Sequence, residues 1–560
     1  MRGKDATSMS FISNVRREKW TKTSKAMLAM LLGASLLLSG CGGGGEKKQA
    51  ASGGTAGAKK QILTIGTTNA PRSMNPISQA DIAGMFITKF MYDSLLGEPE
   101  PYKFTYHLAE SFETKDKQTY TIKLNPKAKW SDGKPLTADD VVFTINLVTN
   151  PKCESSWNRF LKFIVGLNDA GKNPSGGAVA GVVKKDATTI EVRCKRPMDP
   201  NYVKDQLGFN LLIFPKHIFE KIDPGKISSS SEGQKPTVFS GPFKLVKYVT
   251  NDHVEMEANK SYVRGTPKLE KVFFKIQNGT NMVVDLKAGK TQMSAGGGIG
   301  KIPIKDIEVL KKDKKLVVKN VPSLDSQLME INNSNPEFNL HFRKAMVHAI
   351  NRKRIVDQLY KGFSYVNPTV YTKASPVFDG TIPNPAYSVE EAKKELAASG
   401  YDVNKPLTLL VPLGNIQREQ SADLIQQDLQ AIGLKVSVQK MDFPTLMGRA
   451  QKGDFQILLM GLGMQADPDY IRFYEPGSLV NFSHIDDPKL TKMMQDAAIE
   501  ADSAKRTQEY KAIQKYLADN QFHIALYGEE NFIVQSADLV GGLKAYWHGS
   551  LDDVQEWHFK

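Results

Sequence analysis

Cysteine is scarce in this chain: three in 560 residues, Cys41, Cys153 and Cys194. That excludes a small scaffold stapled by several disulfides and leaves only one pairing besides Cys41. Long apolar runs are also lacking. One apolar stretch, Ala26–Leu38, stands out, and it is shorter than the roughly 20 residues that a membrane-spanning helix needs. No later stretch is long enough, and no repeat of fixed period recurs. The zinc-hydrolase pattern His-Glu-x-x-His and the nucleophile elbow Gly-x-Ser-x-Gly are both missing. The run Gly296-Gly297-Gly298-Ile299-Gly300-Lys301 falls short of a phosphate loop. Ala295 stands where the first glycine belongs, and Ile302 where Ser or Thr would hold magnesium. Those absences argue against a hydrolase or nucleotidase, although they leave an exported enzyme as a rival reading.

What is present begins at the amino terminus. Arg16, Arg17, Lys19, Lys22 and Lys25 form a basic head before the apolar stretch, and Leu38-Ser39-Gly40-Cys41 follows it. Charged head, apolar middle and small residues at the cut site are the layout of a secretory signal. The tetrad resembles a bacterial lipobox. Residues 1–40 are then a lipoprotein signal peptide, and Cys41 is the lipidated first residue, carrying palmitate or a similar acyl group. Two acyl chains hold a protein at a bilayer where one does so only marginally. The expected location is the extracytoplasmic face of a bacterial membrane, at the cell membrane or in the periplasm.

The formal charge is +14, of which residues 1–40 supply seven Lys or Arg against two acids, so about +9 remains on the rest. Those cations are dispersed among acids, which fits a basic surface beside an anionic membrane and gives no sign of nucleic-acid binding. Removing the signal leaves roughly 520 residues, enough for two or three domains. Residues 41–60, mostly Gly, Ala, Ser, Lys and Gln, read as a flexible tether. In an oxidising compartment Cys153 and Cys194 either pair as a disulfide or remain two separate buried thiols.

Strands and helices mix from Ile62 onward. Residues 405–460 carry the clearest signal. Leu407–Val411 is an apolar strand, and Ala422, Ile425, Leu429 and Ile432 are spaced as one face of a helix that Gly433 ends. Leu434, Val436 and Val438 alternate as a strand, residues 443–451 predict a second helix, and Phe455–Met460 a third strand. This order implies a sheet with helical crossovers. Earlier, Tyr120, Ile122 and Leu124 alternate, Trp130–Lys134 makes a turn, and Thr137 with Asp140 has capping-box spacing.

Several segments carry a family resemblance. Leu108-Ala109-Glu110-Ser111, the Tyr120 strand and the run Lys129-Trp130-Ser131-Asp132-Gly133-Lys134-Pro135-Leu136-Thr137-Ala138-Asp139-Asp140-Val141 resemble the signature of the family 5 extracellular solute-binding proteins. These are receptors of ABC importers, with oligopeptide-, dipeptide- and nickel-binding members. Ser240-Gly241-Pro242-Phe243-Lys244-Leu245, the segment from Asn332 through Phe338 to Arg343-Lys344-Ala345, and Asp467-Pro468-Asp469 follow in the family's order. The resemblance covers roughly residues 60–535. Trp130–Lys134 itself reads as a structural turn with a core tryptophan, and Arg343 as a structural arginine.

The resemblance implies an α/β, two-lobed periplasmic-binding-protein-like fold of type II. Lobe one is expected at 61–323 and 528–560, with an extra β-rich subdomain near 100–234, and lobe two at 324–527. Ligand closes between them in a hinge motion. The implied partners are a peptide ligand, most plausibly an oligopeptide, a membrane ABC permease with its ATPase subunits, and the bilayer through Cys41, with the protein a monomer and no cofactor. A nickel chelate or haem is the alternative ligand, and a structural surface protein a further rival.

By resemblance the ligand-binding residues are Gly461, Leu462, Gly463 and Met464 on lobe two, Ser240 and Gly241 on lobe one, and Tyr527 near the hinge. A bound peptide would add a strand to the receptor backbone there. Many peptide-binding members hold the peptide's amino group with an aspartate three residues before that of the Asp-Pro pair. Here that position is Met464, which leaves three alternatives: Asp467 or Asp469 takes over, the amine stays solvated, or the ligand lacks such an amine. His341 and His348, seven apart on a predicted helix, are too few for a convincing metal site.

Overall fold

The computed structural model describes residues 60–78, 81–542, 544 and 548–560. The expected signal peptide, Cys41 and nearly all of the tether lie outside the described residues.

An eleven-stranded sheet organises the chain, in the order Lys435–Met441, Pro406–Pro412, Ile457–Leu462, Leu316–Ile331, His523–Ser536, Met293–Ser294, Ile62–Thr67, Lys271–Ile276, His253–Ala258, Phe243–Val249, with Ser364–Tyr365 branching onto His523–Ser536. Its two central strands, of 16 and 14 residues, exceed the usual strand of roughly five or six. They run antiparallel through both halves of the molecule. Their register holds from Leu316↔Ser536 to Pro322↔Glu530, breaks, and resumes at Ser326↔Gly528. A bulge of this kind bends a strand and re-aims its side chains.

The residue 405–460 segment folds as its periodicity predicts. Strand Pro406–Pro412 pairs in parallel with Lys435–Met441 and Ile457–Leu462, and helices Ile416–Ala431 and Phe443–Gln451 make the crossovers. Gly433, at φ 99°, takes the left-handed turn after the first helix. Both sheet faces are covered. Leu407, Leu409, Ile457 and Leu459 pack with Phe342, Met346 and Ile425 on one side. Leu410, Leu458 and Met460 pack with Leu446, Leu490 and Ile513 on the other. Continuous apolar runs are what a parallel sheet buried on both faces requires.

In the other half, strands Ala109–Thr114, Thr119–Leu124, Thr189–Arg193 and Val182–Lys184 form a separate antiparallel sheet inside the region expected to be β-rich. Trp130 is wholly buried, its turn closed by the Lys129–Pro135 bridge with Gly133 at φ 88°. The capping box forms: Thr137 N–H donates to the Asp140 carboxylate (2.9 Å) at the start of helix Ala138–Thr149. Arg343 donates to the carbonyls of Phe338 and Asn520, a structural role.

Pairing of Cys153 with Cys194 is not realised. Both are free and buried. Cys153 follows the Ala138–Thr149 helix, its carbonyl accepting from Lys172 Nζ. Cys194 ends a strand and bridges to Ile164. Both thiols are packed within one apolar core, and burial raises them to about 11 and about 12.

Candidate functional site

A cavity of about 290 Å³ lies between the two lobes. Its wall on the first lobe starts with helix Ile82–Thr88, whose amino end is capped by the Asp81 carboxylate accepting from Gly84 N–H (2.8 Å). Ile82, Met85, Phe86 and Lys89 follow the i, i+3, i+4, i+7 spacing of one helical face, and all four line the cavity. Trp157 and Phe160 add aromatic surface; the Trp157 indole is fixed by its bond to the Pro76 carbonyl (2.8 Å). Asp205, Phe209 and Asn210 come from a π-helical turn, Lys204–Phe209, a distortion common at functional sites.

Lys89 stands 4.1 Å from the centre of the Phe209 ring. Burial lowers its ammonium to about 8, against the pull of Glu98 and Asp205. Burial also drives the Asp205 carboxyl well above the usual range, with Glu98 and Asp467 adding repulsion. Gln206 and Asn210 donate to that carboxyl.

The facing wall is the bulged strand at Ser323, Leu324 and Asp325 and the segment just beyond strand Ile457–Leu462, at Gly463, Met464, Gln465 and Ala466. A side chain at Gly463 would start 3.4 Å from Asp325 Oδ1, so the missing Cβ leaves that carboxylate open. A second cavity, of about 340 Å³, lies beyond the Gly296–Gly300 loop and Asn531, lined by Lys301, Tyr360, Glu529 and Phe532 among others. Gly296, Gly297 and Gly298 all have positive φ, so the loop between the cavities depends on glycine.

Of the residues singled out in the sequence, Gly463 and Met464 line the cavity, and the others lie elsewhere. Gly461 pairs with Gln327 in the sheet, and the space its side chain would fill holds Arg418 and Gln327. Leu462 belongs to the lobe core. Ser240 is buried, and its hydroxyl accepts from the Asp93 N–H (3.0 Å). Gly241 packs on the backbone of Phe90 and Met91. Tyr527 is buried against Tyr360, its hydroxyl 3.4 Å from Ser421.

Asp467 is turned to another purpose. Arg506 grips it with two bonds (2.9 and 3.1 Å), while Tyr102 hydroxyl and Asp469 N–H donate to it (both 2.9 Å). Arg506 also lies 3.5 Å from Asp199, which accepts from Ser503. Tyr102 and Asp199 lie some 270 or more residues before Asp467 and Arg506, so this ion cluster joins segments far apart in the chain. Asp469 faces Lys162 and Arg472, its carboxyl raised by burial and by Asp467. His341 pairs with Glu395 and His348 with the Ala386 carbonyl. Among the described residues no group of three or more His, Cys, Asp or Glu is placed to hold a metal, and no helix is long and apolar enough to cross a membrane.

Two lobes about one cleft is the arrangement of extracellular binding proteins, and the sequence agrees. Residues 103–480 match the family described as bacterial extracellular solute-binding proteins, family 5 Middle. The chain belongs to this family. The oligopeptide-binding protein AppA of Bacillus subtilis (strain 168) is 26% identical over 569 residues, covering 96% of this chain and 99% of that protein. The periplasmic oligopeptide-binding protein OppA of Salmonella typhimurium is 24% identical, covering 84% and 87%. Among solved structures, the ABC transporter substrate-binding protein CtaP of Listeria monocytogenes superposes with a TM-score of 0.78 at 26% identity, over 89% of this chain and 99% of that one. NikZ of Campylobacter jejuni, solved with Ni(L-His), gives 0.72 at 22% over 89% and 100%, a likeness of fold.

The residues that the sequence did not single out are those of the first lobe's wall and Asp325. The stripe at 82, 85, 86 and 89 was visible as a helical period. The convergence of Asp325 on Gly463 was not, because it depends on a break between two strands about 200 residues apart in sequence.

Proposed function

We propose that this protein is the substrate-binding lipoprotein of an ABC importer, capturing short oligopeptides between its lobes and delivering them unchanged to the permease and its ATPase subunits. The observation that carries this reading is the inter-lobe cavity. It joins apolar and aromatic side chains to the segment Gly463–Ala466 that follows strand Ile457–Leu462. Main-chain bonding to such a segment holds a peptide whatever its side chains, and apolar walls accept varied ones. The relatives named for oligopeptide binding span most of the chain.

Lobe one is taken as 61–323 and 528–560, with its β-rich subdomain near 100–234, and lobe two as 324–527. The hinge is then the break in register between Pro322 and Ser326, opposite Gly528–Glu530. Cys41 is the lipid anchor after removal of residues 1–40, the protein works as a monomer outside the cytoplasm, and no chemical step is assigned to it. Within the expected site, Gly463 and Met464 are retained as ligand contacts.

Calorimetry of the mature protein against a diverse set of short peptides tests the reading, with the peptides checked afterwards for cleavage. Binding without turnover is the expected result. No binding across the set would move the ligand to another class, such as a metal chelate or haem, and hydrolysis would restore the enzyme reading. Cys41→Ser is expected to shift the protein from the membrane to the soluble fraction; retention on membranes in high salt would contradict the anchor.

A further inference from the structure

Several buried carboxyl groups stand in or beside the cleft, and they differ in what holds them. Asp467 has Arg506 and two further donors. Glu529 accepts from Gln327 Nε2 (2.7 Å), beside Arg418, whose Nε donates to Gln327 Oε1 (2.9 Å). Asp205 is held by Gln206 and Asn210. Asp325 lines the same cavity as Asp205, but without a side-chain amide on its carboxylate and beside the glycine at 463. It sits in the bulge between Pro322 and Ser326, which turns its side chain into the cavity instead of along the sheet. Its carboxylate takes hydrogen bonds from Ser323 and from the Met464 N–H. Among the described residues no cation stands at ion-pair distance from it; Lys301 acts from farther away, and Glu529 opposes Lys301 with a like charge to Asp325.

We propose that Asp325 is the receptor for an ammonium group of the ligand, received at the bulge beside Gly463 and Met464. This rests on the peptide-binding reading above and deepens it. The position is not the one the family uses, which here is Met464, but a different strand that reaches the same part of the cavity. Three features support the assignment. Gly463 lacks the Cβ that would stand 3.4 Å from Asp325 Oδ1, so the carboxylate is open on the ligand side. Leu324 and Met464 surround it with apolar surface, which strengthens a charge pair once water leaves. Burial raises the carboxyl above its ordinary value, the mark of an anion that has lost water without gaining a cation. A ligand ammonium supplies that cation and makes a charge-assisted bond.

The ammonium has two sources in a peptide, the amino terminus and a lysine side chain. Calorimetry on the mature wild-type protein therefore uses three matched peptides: free amino terminus, acetylated without lysine, and acetylated with lysine. At least one cationic form is expected to bind about tenfold or more tightly than the acetylated lysine-free peptide. The form that does so identifies the source. Asp325→Asn is expected to erase that preference, and a cooperative thermal unfolding transition close to that of wild type reports that the variant is folded. Equal binding of all three peptides by wild type overturns the assignment and needs no variant. So does a preference that survives Asp325→Asn. Wild type that binds none of the three, nor any other peptide, overturns the peptide reading itself and the assignment with it.

Discussion

Asp325 lines the cavity and Asp467 lies just past the lining residues Gly463–Ala466, but the protein treats the two in opposite ways. Asp467 is filled by Arg506, Tyr102 and the Asp469 N–H, and it ties together segments far apart in the chain. Asp325, at the bulge, keeps an open side toward the cavity. A third buried carboxyl, Glu330, takes neither course. It pairs with no arginine or lysine, accepts from the Ser483 hydroxyl, and burial raises it to about 7. A carboxyl group inside a lobe is thus paired with a cation, neutralised by a proton, or left for a ligand. Only the last arrangement is useful for binding, because a pair already made has nothing further to gain.

The largest test of this contrast is Arg506→Met. It strands Asp467 and Asp199 without their cation, and breaking a buried pair in this way costs about 3–5 kcal/mol. Urea unfolding should show a loss of that order. A loss below about 1 kcal/mol would mean that the cluster is not what holds Asp467, and the contrast with Asp325 would fall.

Next comes the proton on Glu330. Burial holds its folded value at about 7, above the ordinary 4.5 of a free glutamate. Its contribution is therefore fully present below pH 4.5 and is lost as pH rises through 7, by on the order of 3 kcal/mol. His523 lies 3.7 Å away and is lowered to about 4, so it acts in the opposite direction between about pH 4 and 6.5. Comparing wild type with Glu330→Gln isolates the first group. The variant should gain stability over wild type as pH rises from 5 to 8, and a difference that is flat with pH would reject the protonated carboxyl.

Gly463→Val should weaken peptide binding by about tenfold or more while leaving stability nearly unchanged, since Gly463 is exposed and outside the sheet. The branched side chain would crowd Asp325 and keep the ligand backbone off the strand end. Unaltered affinity would move the ligand away from this edge. The smallest expected effect is that of Asp325→Asn on unfolding, a change within about 1 kcal/mol of either sign, because no ion pair is lost. A loss as large as that of Arg506→Met would show that Asp325 supports the fold after all.

Local patterns were legible in the sequence. The strands and helices of residues 405–460, the capping box at Thr137 and Asp140, and the Trp130 turn rest on spacing and on neighbours a few residues away. The family followed from the same motifs. The site was only partly legible: Gly463 and Met464 line the cavity, while Ser240, Gly241 and Tyr527 are packed into the protein interior. A glycine beside a strand looks the same in sequence whether it admits a ligand, as at 463, or a neighbouring side chain, as at 461, where Arg418 and Gln327 occupy the space.

What the sequence determined by itself was the alternation of strands and helices and the two-lobed family to which they belong. The tertiary structure decided which carboxylate is free. Asp467 and Asp325 are the same residue type, and no local pattern separates them. Their difference arises from Arg506 on a helix some forty residues away and from a bulge fixed by pairing with a strand about 200 residues away. Charge pairing depends on distance in space, which the chain order does not set.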